Sequence, residues 1–164
     1  MRKPQAIVLT VSDSASRGER SDLSGPAARE ELERLGCEVV SVIIVPDEVQ
    51  AIQKVLLEHS DSDGIDLIAT TGGTGLAPRD VTPEATLAVI EKAIPGLPEL
   101  MRSEGTKANA RAALSRAVAG LRNRTLIINL PGSVRGVQES LAAVAKILGH
   151  ALEVASGNTV RCGG

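Results

Sequence analysis

The chain has 164 residues, a formal net charge of −2, two cysteines and no Phe, Trp or Tyr. That length suits one domain over residues 1–164, able to bury about 70% of its unfolded surface without covalent staples. Cys37 and Cys162 form neither a disulfide framework nor a zinc ligand set, which favours a reduced, cytoplasmic setting. The mild acidity gives no reason to expect nucleic acid, and a chain without Phe, Trp or Tyr lacks the usual platforms for stacking bases. No apolar run approaches the roughly 20 residues of a membrane span, so a soluble protein is expected.

Gln5–Val11 (QAIVLTV) is a nearly continuous apolar run, typical of a strand covered on both faces. A polar loop over 12–26 follows, long enough to be functional or disordered. Residues 26–36 predict a helix ended by Gly36, and 37–45 a strand closed by Pro46. Apolar residues at 49, 52, 55 and 56 predict a helix over 47–60 with Asp47 as a candidate N-cap. A third strand over 64–70 leads into TTGGTGLAPRDVTPEAT, residues 70–86. A helix starts there with Thr82 at N-cap and Pro83 at N1, and runs to Ile94, where PGLP breaks it. Residues 99–120 read as one or two short helices and a weak strand. TLIINL (125–130) is a buried strand, and 134–156 a last long helix with Gly149 as a weak point inside it.

Strands alternating with helices predict an α/β fold: a three-layer α/β/α domain with a mostly parallel sheet flanked by helices on both faces. Such sheets bind ligands at the carboxyl ends of their strands, which singles out the loops 12–26, 72–81 and 131–133. In the second of these, Gly72, Gly73 and Gly75 let amides turn toward an anion, and Thr71 and Thr74 add hydroxyls. The same cluster also reads as a tight turn, since it is neither a P-loop nor a dinucleotide fingerprint. Asp80 stands where a carboxylate can hold a Mg²⁺ bridging phosphates, and Asp47 follows a strand on the same edge. The plainer readings are helix capping for Asp47, and a turn residue or an ion pair with Arg79 for Asp80. Pro131, Gly132 and Ser133 suit either an anion at a helix N-terminus or an ordinary connection with Ser133 as N-cap. His59, His150, Cys37, Ser115 and Ser133 form no nucleophile–base pair. The predicted chemistry is direct transfer between bound groups, helped by a metal and by positioning.

Five ordered blocks carry a resemblance over nearly the whole chain: VSDSASRGERSDLSGP, IIVPDE, TTGGTG with PRDVTPEAT, ALSRAVAG and TLIINLPGS. Together they resemble the molybdenum-cofactor biosynthesis domain of bacterial molybdopterin adenylyltransferases and of gephyrin G domains. The resemblance implies a homotrimer that uses Mg²⁺ and ATP to adenylylate molybdopterin, releasing pyrophosphate, with hand-off to a molybdate insertase. It assigns Asp47 and Asp80 to catalysis and to Mg²⁺, and Gly72, Gly73, Thr74 and Gly75 to a phosphate loop flanked by Thr71 and Arg79. It sets Ser115 against the pterin and Asn129, Pro131, Gly132 and Ser133 beside the nucleotide, with Asp13, Asp22 and Ser24 closing one edge. A non-catalytic pterin-binding or scaffold trimer of the same fold is the alternative. Two departures from the family pattern stand out: Val134 replaces a common proline, and SEGTKANARA differs from the usual segment.

Overall fold

The computed structural model describes residues 2–62 and 64–157, so Cys162 lies outside the described residues. In chain order, β1 (Gln5–Val11), α1 (Asp13–Ser16), α2 (Ser24–Arg34), β2 (Glu38–Val45), α3 (Val49–Ser60) and β3 (Leu67–Thr71) come first. Then follow α4 (Thr82–Leu87), β4 (Lys92–Ala93), α5 (Gly96–Ala108), a 3-10 helix (Ala110–Leu114), β5 (Ala119–Arg122), β6 (Thr125–Leu130) and α6 (Val134–Ala155). The strands form one sheet in the order β2-β1-β3-β6-β5-β4. β2, β1, β3 and β6 are mutually parallel, β5 runs antiparallel to β6, and β4 antiparallel to β5. The sheet is therefore mostly parallel, as the alternation of patterns predicts.

Successive residues of the central strands point to opposite faces, and both faces are covered. Ala6, Val8, Leu67, Ala69, Leu126 and Ile128 pack with Leu32 of α2, Met101 of α5 and Leu141 and Val144 of α6. Leu9, Val11, Ile68 and Ile127 pack on the other side with Ile52 and Leu56 of α3 and Ala85 of α4. This double cover explains why the strands read as apolar runs rather than alternating patterns. The two core layers are wholly aliphatic apart from Met101 and Cys37, each large side chain contributing about 1.5–3 kcal/mol by burial. Burial pushes the Cys37 thiol up to about 11, so it is inert at neutral pH. Among the described residues no helix is long and apolar enough to cross a membrane.

Three elements differ from their sequence patterns. The loop after β1 contains the short helix α1, and α2 begins at Ser24 rather than Pro26. The helix from Thr82 ends at Leu87: the Val89 and Ile90 amides turn back to the Thr86 carbonyl, and Glu91 to Ile94 pair with β5 instead. The Glu91 amide donates to the Leu121 carbonyl at 2.8 Å and the Ile94 amide to that of Ala119 at 2.8 Å. Finally, PGLP opens α5 rather than breaking the chain: Pro95 is its N-cap residue, and Pro98 sits in the first turn, where a missing N–H costs nothing.

Gly149 is exposed on α6, and a β-carbon there meets nothing within 4 Å. Gly149→Ala is therefore expected to stabilise the fold by about 0.5–1 kcal/mol, read as a higher midpoint in urea unfolding.

Candidate active site

The four parallel strands end at one edge of the sheet, and the loops that leave them converge there. After β1, the Asp13 amide donates to Asp47 Oδ2 at 2.8 Å, and the Asp47 amide returns a bond to Asp13 Oδ1 at 3.0 Å. This reciprocal pair ties the β1 loop to the end of β2. It also decides one of the alternatives for Asp47, because α3 is capped at Glu48 without any side-chain bond. Arg79 grips Asp13 with Nε at 2.9 Å and Nη2 at 2.8 Å, so Asp13, not Asp80, is its ion-pair partner. Asp80 accepts the Ala77 amide through Oδ2 at 3.0 Å, which makes it a turn residue with one oxygen to spare.

The electrostatics of the carboxylates diverge. The Arg79 guanidinium bound to Asp13 holds that carboxyl below its ordinary range. Burial pushes the Asp47 carboxyl above its ordinary range; the Asp13 amide opposes this, and the charges of Asp13 and Asp80 add to it. Burial first, and the neighbouring carboxylates second, thus disfavour the charged form of Asp47 despite the nearby Arg79, a cost that a bound cation would relieve. Among the described residues no three His, Cys, Asp or Glu side chains gather into a metal cage. Mg²⁺ needs none, since it takes one or two carboxylates and completes its shell with water and phosphate. Asp47 Oδ1 and Asp80 Oδ1 accept no hydrogen bond within the described chain. That donor set fits a hard divalent cation.

The glycine loop follows β3. Gly72 has φ +90° and packs on the Val11 carbonyl, where any β-carbon overlaps the oxygen. Gly73 has φ +67°, and a β-carbon there overlaps the Thr82 hydroxyl and stands 3.2 Å from Asp47 Oδ1. Thr82 is a loop staple rather than the cap that the sequence suggests. Its hydroxyl donates to the Gly72 carbonyl at 2.9 Å and its amide to that of Gly73 at 3.1 Å, while Val81 takes the N-cap position. Folded this way, the amides of Gly73, Thr74, Gly75 and Leu76 find no acceptor within the described chain. Consecutive amides left unpaired at a strand end make a cradle for anionic oxygens.

The remaining expected residues divide into two groups. Ser115, Pro131 and Ser133 join Thr74, Gly75 and Arg111 around a groove of about 470 Å³. Ser133 also caps α6, accepting the Gly136 amide at 3.0 Å. On the far side of the Pro131–Gly132 turn, Asp22, Ser24, Gly72 and Gly132 line a smaller cavity of about 130 Å³. The side chains of Asp22, Ser24, Thr71 and Asn129 are already used inside the protein. Asp22 accepts the Thr10 hydroxyl at 2.8 Å and the Gly25 amide at 2.9 Å, and Ser24 meets the Thr71 hydroxyl at 2.8 Å. Asn129 is fully buried and donates to the hydroxyls of Thr70 and Thr86, both at 3.0 Å. Its Oδ1 accepts the Val118 amide at 3.1 Å. Asn129 thus fastens β6 to β3 and α4 from within the core rather than facing the groove with its amide.

Sequence reasoning assigned nothing to Arg111, Arg135 or Arg116. Arg111 and Arg135 line the groove, Arg135 paired with Glu139 at 2.7 Å and Arg111 without a carboxylate partner among the described residues. Arg111 lies in the 3-10 helix that the sequence pattern did not resolve, so no local signal marks it.

A doubly covered, mostly parallel sheet whose strand-end loops bring unpaired amides beside two carboxylates defines an α/β protein with a candidate site at that edge. Residues 7–150 match the family described as "Probable molybdopterin binding domain". The chain belongs to that family. It is 45% identical over 153 residues to the molybdopterin adenylyltransferase of Helicobacter pylori strain J99, covering 92% of this chain and 87% of the relative. The Drosophila melanogaster molybdenum cofactor synthesis protein cinnamon is 43% identical over 90% of this chain, which spans 25% of that longer protein. Among solved structures, the molybdopterin biosynthesis enzyme MoaB of Thermus thermophilus superposes with a TM-score of 0.89 at 52% identity. That match covers 94% of this chain and 97% of that one.

Proposed function

We propose that the protein is a molybdopterin adenylyltransferase of molybdenum cofactor biosynthesis, joining the AMP unit of ATP to molybdopterin and releasing pyrophosphate. The observation that carries the reading is the run of four acceptor-less amides, Gly73 to Leu76, set beside the carboxylates of Asp47 and Asp80. The similarity to curated adenylyltransferases over nearly the full chain supports the same activity.

The terminal phosphate of the pterin is the nucleophile and the α-phosphorus of ATP the electrophile. A phosphate monoester has its second pKa at about 6, so at neutral pH the nucleophile is already ionised and needs no general base. This agrees with a site in which no histidine lies among the lining residues. The work left to the protein is alignment and charge stabilisation. The Gly73–Leu76 amides donate to phosphate oxygens as negative charge redistributes toward the departing pyrophosphate. Asp47 and Asp80 would hold a Mg²⁺, which would supply positive charge to the transferring phosphates. Arg79 adds a guanidinium at the rim, and Ser115 with Arg111 lines the groove for the pterin. We place this activity in the cytoplasm and in a homotrimer. The longer fly relative, named a molybdenum cofactor synthesis protein, supports hand-off of the product to a molybdate insertase as the next step.

The test is direct. Incubation with molybdopterin, ATP and Mg²⁺ is expected to yield pyrophosphate and an adenylylated pterin. Absence of that product with authentic substrate refutes the assignment. Calorimetry with each ligand separately then distinguishes the scaffold reading, which requires pterin binding without nucleotide binding.

A further inference from the structure

We propose that Arg116 is a positioning residue for adenylyl transfer: it aims the amides of the glycine loop and sets Asp80 in register with them. The inference rests on the activity proposed above and assigns a role to a residue outside the acidic pair and the loop itself.

Arg116 reaches four points of one arc of chain. Its backbone amide donates to the Thr74 carbonyl at 2.9 Å. Its Nε donates to the Gly75 carbonyl and its Nη2 to the Asp80 carbonyl, each at 2.8 Å. Its Nη1 pairs with Glu84 in the first turn of α4, the helix that begins two residues after Asp80. A trans peptide holds C=O and the following N–H on opposite sides. Drawing the Thr74 and Gly75 carbonyls toward Arg116 therefore turns the Gly75 and Leu76 amides away from it. Those are two of the four amides without an acceptor. The residue that engages the Thr74 and Gly75 carbonyls is thus the one that leaves the Gly75 and Leu76 amides open to an anion.

The arrangement is specific to a guanidinium. A planar fork reaches separate acceptors in fixed directions, whereas a lysine ammonium offers a single point of charge. Glu84 completes the device by pinning the fork to α4, and its carboxyl is held below its ordinary range first by the hydrogen bond from Arg116. With Nε and both Nη groups engaged, Arg116 acts through the loop and not on substrate. It also directly follows Ser115, which lines the groove, so one short segment links the groove wall to the phosphate cradle.

The experiment compares wild type, Arg116→Ala, Arg116→Lys and Glu84→Gln by steady-state kinetics and by amide hydrogen exchange. Arg116→Ala is expected to lower kcat by about 100-fold, as misplacement by an ångström can do, with the KM for molybdopterin nearly unchanged. Exchange should quicken at the hydrogen-bonded amides of Ala77, Asp80 and Thr82 while β1 and β6 keep their protection. Arg116→Lys should not restore kcat, whereas soluble guanidinium ion should partly restore Arg116→Ala. Unchanged kcat, unchanged exchange at Ala77, Asp80 and Thr82, or full recovery by lysine overturns the proposal. If Arg116→Ala fails to fold, Glu84→Gln carries the test, since it unpins the fork but keeps the carbonyl contacts. Its expected result is a smaller fall in kcat with the same exchange pattern, and an unchanged kcat counts against the proposal. Should wild type make no adenylyl product, the functional assignment fails alone. Binding of inorganic pyrophosphate, expected to weaken about tenfold in Arg116→Ala for loss of one oriented hydrogen bond, still decides the role of Arg116.

Discussion

Asp80→Asn and Asp47→Asn are each expected to lower the rate of adenylyl transfer by about 100-fold or more while leaving the fold intact, about 2.7 kcal/mol of transition-state stabilisation. The fold tolerates both changes because neither carboxylate is used in the core. Asp80 accepts a single amide, and Asp47 accepts a single amide that an asparagine oxygen can also take. The two variants should part company in stability. Burial and like charge raise the Asp47 carboxyl in the folded state. Its contribution therefore favours folding when protonated, below the unfolded value of about 3.9, and is lost as pH rises through the raised folded value. At neutral pH the ionised group is a burden, so Asp47→Asn should melt higher than wild type in metal-free buffer. The gap should close in acid. Asp13 has the opposite sign: Arg79 lowers its carboxyl, so its contribution is present above the ordinary range and lost as pH falls through the depressed value. Thermal melts of Asp47→Asn across pH check this, and a variant that melts lower than wild type at pH 7 contradicts the reading of Asp47 as an electrostatically strained ligand.

The largest structural effect is expected at Gly72→Ala. Its φ of +90° costs a residue with a side chain about 1–3 kcal/mol, and overlap with the Val11 carbonyl adds a similar amount. A loss of about 3–5 kcal/mol consumes much of the 5–15 kcal/mol that holds a typical domain. Gly18→Ala is the control, since Gly18 has φ +71° but nothing within 4 Å of a β-carbon, so only about 1–2 kcal/mol should be lost. Urea unfolding of both variants separates backbone strain from collision. Equal losses would show that the Val11 carbonyl yields.

Much of this was legible in the residues. The apolar runs of β1, β3 and β6 announce strands covered on both sides, and the small residues after β3 announce a loop whose Gly72 and Gly73 take positive φ. What failed to show were features decided by partners distant in sequence. Glu91 to Ile94 continue a helical signal, yet β5 offers them strand pairing. Asp47 has the sequence context of a cap, yet the Asp13 amide, 34 residues away, takes its carboxylate. Asn129 lies beside a functional turn in sequence, yet its side chain is spent within the core on Thr70, Thr86 and Val118. Arg116 and Glu84 stand 32 residues apart, and no local pattern announces that they meet. In each case periodicity and capping describe a segment correctly in isolation, and tertiary contact redirects it.

The aliphatic make-up of both core layers has an optical consequence. With no tryptophan, tyrosine or phenylalanine anywhere in the chain, the protein is nearly transparent in the near ultraviolet. Adenine and pterin both absorb there, so each can be followed on the protein without subtraction of a polypeptide background. Dichroism in that band is silent until a chromophore is held in a chiral setting. Its appearance on adding either ligand would report seating in the groove directly, with neither label nor mutation.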